Sequence, residues 1–265
     1  MEDLLETSEI ITDKRLLVEY LEAGCKPLSQ WKIGTEHEKF PYHLKDLRPL
    51  SYDEEFGILR LLQELQRFGW EPEFEGENII ALRKDGDGTI SLEPSGQLEL
   101  SGEAVSTIHQ TCDQVSRHLQ QVKAVASELD IGFLGLGYRP IGNIDDVPWM
   151  PKERYKIMTS EMPKGGQLSL DMMYKTAGIQ INYDYTSEED FEKKFKIGNY
   201  LAPLTIALFA NSPFNENKLS GYFSFRGKVW QKTNRGGIMP ITFEKVNFEK
   251  YIDHAINYPI LFLKK

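Results

Sequence analysis

Glu36 and Glu38 stand two residues apart in Ile33-Gly34-Thr35-Glu36-His37-Glu38-Lys39-Phe40, a stretch without the apolar period of a helix. In an extended strand the side chains alternate, so both carboxylates point to one face together with Gly34 and Phe40. Two like charges at that spacing repel, and a divalent cation between them relieves the repulsion most simply. An all-oxygen donor set selects a hard ion such as Mg2+ or Mn2+ over zinc. The same spacing also describes a solvated strand face, so the choice rests on whether other strands bring matching groups.

Three further stretches do. In Ile90-Ser91-Leu92-Glu93-Pro94-Ser95-Gly96-Gln97-Leu98-Glu99-Leu100-Ser101, a reversal at Pro94-Ser95-Gly96 sets Glu93 and Gln97 on facing strands. Alternation then sends Glu99 with Gln97, and Leu98 with Leu100 to the opposite side. The polar side of this hairpin holds glutamates, Gln and Ser without a lysine, whereas a merely wet face carries charges of both signs. In Gly178-Ile179-Gln180-Ile181-Asn182-Tyr183, Gln180 and Asn182 oppose Ile179, Ile181 and Tyr183. In Tyr222-Phe223-Ser224-Phe225-Arg226 the alternation predicts a strand with Arg226 on its polar side, where a guanidinium could grip a carboxylate or phosphate bidentately. Several carboxylates on one sheet face can hold more than one divalent ion, and such ions bridge ATP phosphates during phosphoryl transfer. Residue types alone therefore point to metal-dependent phosphoryl chemistry.

The elements that must position these residues are amphipathic. Thr12-Asp13 caps a helix carrying Leu16, Leu17, Tyr20 and Leu21 and ended by Gly24. A second covering helix runs from Asp53 to Phe68, with Gly69 ending it, and a long one from Glu103 to Leu129 spans the back of the sheet. On it His109 and His118 lack a carboxylate or Cys at i+4 and read as structural or surface residues. Asp85-Gly86-Asp87-Gly88 joins two short strands as a hairpin turn, and lacks the closing acid of a calcium loop. Ile131 to Gly137 reads as a buried strand, and its glycines are not a dinucleotide fingerprint because Pro140 follows and no helix opens. After Thr186-Ser187-Glu188-Glu189 a helix runs to Ala210 with a kink at Pro203.

At 265 residues and 40% hydrophobic the chain can bury a sizeable core, and the expectation is one domain. A net charge of -9 argues against a nucleic-acid or membrane-surface partner. Cys25 and Cys112 stand far apart without metal-ligand spacing. With no basic leader and no long apolar run, a soluble cytoplasmic protein is expected.

Seven motifs recur in order. Gly34-Thr35-Glu36-His37-Glu38-Lys39-Phe40, Ser91-Leu92-Glu93-Pro94 with Gly96-Gln97-Leu98-Glu99-Leu100-Ser101-Gly102, His109-Gln110-Thr111-Cys112, Gly132-Phe133-Leu134-Gly135, Asp171-Met172-Met173, Gln180-Ile181-Asn182 and Leu208-Phe209-Ala210-Asn211-Ser212-Pro213-Phe214 together resemble the plant and proteobacterial branch of glutamate-cysteine ligase. The resemblance implies an α+β fold of the glutamine synthetase and glutamate-cysteine ligase superfamily, an antiparallel sheet forming a half-barrel or funnel backed by helices. It implies ATP-dependent ligation of L-glutamate to L-cysteine through a γ-glutamyl phosphate, the first step of glutathione synthesis, with Mg2+ or Mn2+ as cofactor. By position Glu36, Glu38, Glu93 and Glu99 match the family's metal-binding glutamates. Gln97, Gln180, Asn182 and Arg226 lie in segments resembling its substrate and ATP surface, with Arg226 in a catalytic place. Members of the branch continue beyond the region of Lys265, so residues 1–265 are expected to form a single incomplete catalytic domain that works with a C-terminal half. A related carboxylate-amine ligase with another acceptor, and a noncatalytic remnant that binds glutamate or nucleotide or pairs with a separately encoded C-terminal half, are the alternatives.

Overall fold

The computed structural model describes residues 11–233 and 239–258. Their helices are α1 (Lys14–Ala23), α2 (Ile58–Leu65), α3 (Ile108–Leu129), α4 (Glu153–Glu161), α5 (Ser169–Lys175), α6 (Glu188–Leu208), α7 (Phe225–Gln231) and α8 (Phe248–Ala255). The strands are β1 (Ile33–His43), β2 (Glu71–Glu75), β3 (Asn78–Lys84), β4 (Gly88–Leu92), β5 (Leu98–Ser101), β6 (Ile131–Leu134), β7 (Ile179–Tyr183), β8 (Phe214–Asn215) and β9 (Lys218–Leu219). The chain divides into two compact units, one of residues 11–31, 184–201 and 239–258, the other of residues 32–183 and 202–233.

The larger unit is built on an antiparallel sheet in the order β2-β3-β4-β5-β1-β6, with β7 also paired to β1. β1 is long enough to take three partners. Its first half lies between β5 and β7, and Phe40 to His43 pair with β6. The hairpin β3-β4 turns at Asp85 to Asp87, where Gly86 and Gly88 take positive φ. Leu82, Ile90, Leu92, Leu98 and Leu100 line one face, packed with Ile58, Leu61, Leu62 and Leu65 of α2 and Val122, Val125 and Leu129 of α3. Burying each such side chain contributes about 1.5 to 3 kcal/mol, so this layer fixes which face of the sheet is dry. The coarse expectation of an antiparallel sheet backed by helices is what the chain adopts.

The long helix begins at Ile108 and not Glu103, because Thr107 and Gln110 close a capping box there. On the helix-covered side of β1, Lys39 is buried against α3, its Nζ donating to His118 Nε2 at 2.9 Å and to the Leu98 carbonyl at 3.3 Å. His118 is thus structural, as its lack of a local partner suggested, and His109 is exposed. Two expectations need correction. Ile179, Ile181 and Tyr183, the apolar side of β7, are exposed and not buried, because the helices cover the β3-β4-β5 layer. Tyr222 to Arg226 is not a strand: Ser224 accepts a hydrogen bond from the Gly227 amide and so caps α7, which starts at Phe225. Alternating aromatics misled here because a local side-chain cap overrode them.

The smaller unit is held by aromatic packing. Phe191 touches Tyr185, Phe195, Phe248 and Tyr251, with ring centroids 5.2 to 6.0 Å apart. As expected, Asp13 caps α1 and Gly24 closes it. Both cysteines are free thiols. Among the described residues no helix is long and apolar enough to cross a membrane.

Candidate active site

The strand register collects the acidic residues. Glu38 lies opposite Glu99, which lies opposite Ser91; Glu36 lies opposite Ser101 on one side and Gln180 on the other. Directly paired residues share a face of an antiparallel sheet, so Glu36, Glu38, Glu99 and Gln180 all stand on the face away from α2 and α3, with Asn182 two residues along β7. Glu93 follows β4 in the turn, where its amide donates to the Gln97 carbonyl at 2.9 Å and Gly96 takes φ +79°.

Each carboxylate is held differently. Glu36 Oε1 accepts from Gln180 Nε2 and Asn182 Nδ2, both at 3.1 Å. Glu99 Oε1 accepts from Ser101 Oγ at 2.5 Å. Glu38 Oε2 accepts from the Gly178 amide at 2.6 Å. Burial, and after it the charges of Glu93 and Glu99, push the Glu38 carboxyl up to about 7, against the pull of the Gly178 amide and of Arg226. Glu93 is raised as well, by burial first and by Glu99 next, with Lys152 and Arg154 opposing. These three acids repel one another, and the nearby Arg226, Lys152 and Arg154 offset that repulsion only in part.

Arg226 reaches the same place from the first turn of α7. Its amide donates to Ser212 Oγ at 3.1 Å, which ties the start of the helix to the segment before β8. The guanidinium lies beside Gly178, where an added Cβ would come within 3.0 Å of Nη2. Gly178 therefore admits the arginine and donates to Glu38 at once. Arg226 Nε is buried and lacks a hydrogen-bond partner, and burial lowers the affinity of the group for its proton while Glu38 raises it. A buried donor left free next to a carboxylate cluster is a ready seat for a substrate oxyanion.

The family model for glutamate-cysteine ligase family 2 matches residues 32–265. The chain belongs to glutamate-cysteine ligase family 2. It is 49% identical over 99% of its length to the chloroplastic glutamate–cysteine ligase of Nicotiana tabacum, 48% over 99% to chloroplastic glutamate–cysteine ligase A of Oryza sativa subsp. japonica, and 47% over 98% to the chloroplastic enzyme of Arabidopsis thaliana. The alignments cover 50%, 53% and 50% of those relatives, so the chain spans about half the length of the curated proteins it matches. The cytoplasmic expectation is corrected by the same comparison, since all three relatives are named chloroplastic.

Within this member of glutamate-cysteine ligase family 2, six of the residues singled out from sequence, Glu36, Glu38, Glu99, Gln180, Asn182 and Arg226, stand along one face or beside it, with Glu93 at its edge. Gln97 does not join them. It is 1% exposed; its Oε1 accepts from the Ser95 amide and hydroxyl, and its Nε2 donates to the carbonyls of Met173, Tyr174 and Thr176. It lies before β5 begins, so strand alternation did not govern it, and every polar atom is spent on tying the turn to the end of α5. Three neighbours went unnoticed in the sequence: Gly178, Lys152 and Arg154. Arg154 Nη2 lies 3.9 Å from Glu93 Oε1. Lys152 is buried, bonded to the Leu92 carbonyl at 2.8 Å and pushed down to about 8 by burial. The basic residues after Pro151 were the only signal for Lys152 and Arg154.

Among the described residues no three His, Cys, Asp or Glu side chains are gathered into a ready-made metal site. The donor chemistry of Glu38, Glu93 and Glu99 nevertheless fits a hard divalent ion, which would remove the repulsion that raises Glu38.

Proposed function

We propose that this chain supplies the metal-binding and glutamate-side half of an ATP-dependent glutamate-cysteine ligase, carrying out the first step of glutathione biosynthesis in a plastid. The observation that carries the reading is the register of Glu36, Glu38 and Glu99 on neighbouring strands, with Glu93 at the turn and Arg226 beside Glu38. Glu38, Glu93 and Glu99 would hold Mg2+ or Mn2+, with Glu36 next to them. The ion, when bound, screens the phosphate charge of ATP.

A carboxylate is a poor electrophile, so the γ-carboxylate of glutamate attacks the γ-phosphorus of ATP and becomes an acyl phosphate, with ADP as the leaving group. The cysteine amine then displaces phosphate. Arg226 would orient a substrate carboxylate or phosphoryl oxygen through its free donors. Gln180 and Asn182 hold Glu36 in one rotamer and border the substrate surface. The acyl phosphate must be kept from water, and residues 1–265 form an incomplete catalytic domain on this reading, so turnover needs the half of the relatives that this chain does not match.

The test is formation of γ-glutamylcysteine, identified by mass, from ATP, Mg2+, glutamate and cysteine, with the chain alone and with that second half supplied. Product in the second case, and at least about a hundredfold less in Glu38→Gln, is expected. No product with both halves present would overturn the assignment.

A further inference from the structure

A cavity of about 460 Å³ opens on the larger unit, against the second half of β1. Its wall is apolar: Phe40 and Tyr42 from β1, Leu134 and Leu136 from β6 and the residues after it, and Phe214 of β8. Phe40 pairs with Leu134 across the strands, so both present their side chains to this space. The Tyr42 ring lies over Gly132, where an added Cβ would meet the ring at 2.5 Å. The wall is thus built, and a side chain at residue 132 would dismantle it.

One cation enters this apolar space. Arg139 lines the cavity and is 4% exposed, yet its Nε and Nη2 have no hydrogen-bond partner. The guanidinium carbon sits 4.6 Å from the centre of the Phe40 ring, and the Arg139 amide is anchored to the Lys175 carbonyl at 2.8 Å. Among the described residues no carboxylate forms an ion pair with Arg139. Burial alone weakens its hold on its proton, to about 10. A buried guanidinium with idle donors is costly unless an anion meets it. A planar carboxylate matches its fork of donors. A polyphosphate would bring several charges against one cation and few other donors.

We propose that this cavity binds a small monocarboxylate with an apolar body, its carboxylate on Arg139 and its body against Phe40, Leu134, Leu136 and Phe214. The volume lies in the range of small-molecule sites, roughly 300 to 1,000 Å³. No carboxylate of the cluster lines this cavity, and the proposal does not depend on the ligase reading, so it is tested without ATP or metal.

Hexanoate is titrated into the full chain by calorimetry and by saturation-transfer NMR, beside hexan-1-ol, which has the body and lacks the charge. Saturable hexanoate binding is expected, with hexan-1-ol at least about tenfold weaker and Arg139→Gln losing about tenfold in hexanoate affinity. Arg139→Gln should melt no lower than the parent, since it removes an unpaired buried charge. Leu136→Trp, which fills the cavity and keeps Arg139, should also lose hexanoate. No saturable binding up to about 10 mM, equal binding of the alcohol, or full affinity in Arg139→Gln would overturn the proposal. Displacement of hexanoate by ATP at matching stoichiometry would overturn it too, assigning the cavity to a nucleotide.

Discussion

On the helix-covered side of β1 the Lys39 ammonium is buried but donates to a neutral His118 and to the Leu98 carbonyl, whereas on the opposite side Glu38 is buried among other acids and has one amide and a nearby arginine. Burial lowers Lys39 to about 8 and raises Glu38 to about 7, so both groups carry their charge at a cost. The two sites differ in closure. Lys39 finds its acceptors inside the fold, while the repulsion among Glu38, Glu93 and Glu99 is left for something from outside to relieve. A closed network on one side and an open one on the other, on adjacent residues of a single strand, separate structure from chemistry.

The strongest way to break this contrast is to open the closed side. His118→Leu removes an acceptor from Lys39 and leaves a buried charge less well bonded, which should cost about 3 kcal/mol of stability. Urea unfolding measures it, and Mn2+ affinity in the presence of ATP should not change in the folded variant. Unchanged stability would show that Lys39 does not need the histidine.

Next comes the pH dependence of the open side. Glu38 titrates near 4.5 when unfolded and about 7 when folded, so the folded state binds its proton more tightly. Stability should therefore fall as pH rises from about 4.5 to about 7, by about 2 to 3 kcal/mol from this group, and remain lowered above. Glu38→Gln should flatten that part of the curve, and Mg2+ should restore stability to the parent near pH 7.5. A parent curve with no fall over this window, or no response to Mg2+, would place Glu38 in a relieved environment like that of Lys39.

Arg226→Lys keeps the charge but loses the fork of donors, and should weaken glutamate or ATP binding by about 1.5 to 3 kcal/mol in calorimetry. Parental affinities would make Arg226 a purely structural neighbour of Gly178. Gly178→Ala is the mildest change. Its Cβ would press on the end of a flexible side chain, so stability should drop by less than about 1 kcal/mol while substrate affinity falls in the direction of Arg226→Lys. Equal substrate binding with and without the methyl group would separate Gly178 from the arginine's position.

Much of the site was legible because it depends on a period of two. Glu36, Glu38, Glu99, Gln180 and Asn182 sit in strands where alternation decides the face, and the dry leucines beside them decide which face is wet. Gln97 and Arg226 fell outside that rule. The first lies in a turn whose buried donors and acceptors had to be satisfied by Met173 to Thr176, and the second follows a serine cap. A polar side chain in a turn goes where the unpaired backbone groups are, and no local pattern reveals which groups those will be.

The sequence by itself determined the family of the protein, the cap at Asp13, which residues of a strand share a face, and the concentration of acid on one side of a sheet. Those follow from local sterics and from which residues avoid water. Tertiary structure decided who meets whom: Gln180 reaches Glu36 across 144 residues, Gly178 reaches Glu38 across 140, and Arg226 arrives beside Gly178 and Glu38 from a helix start. Pairings of that span are selected by the packed core as a whole, because each contact is too weak to close its own loop.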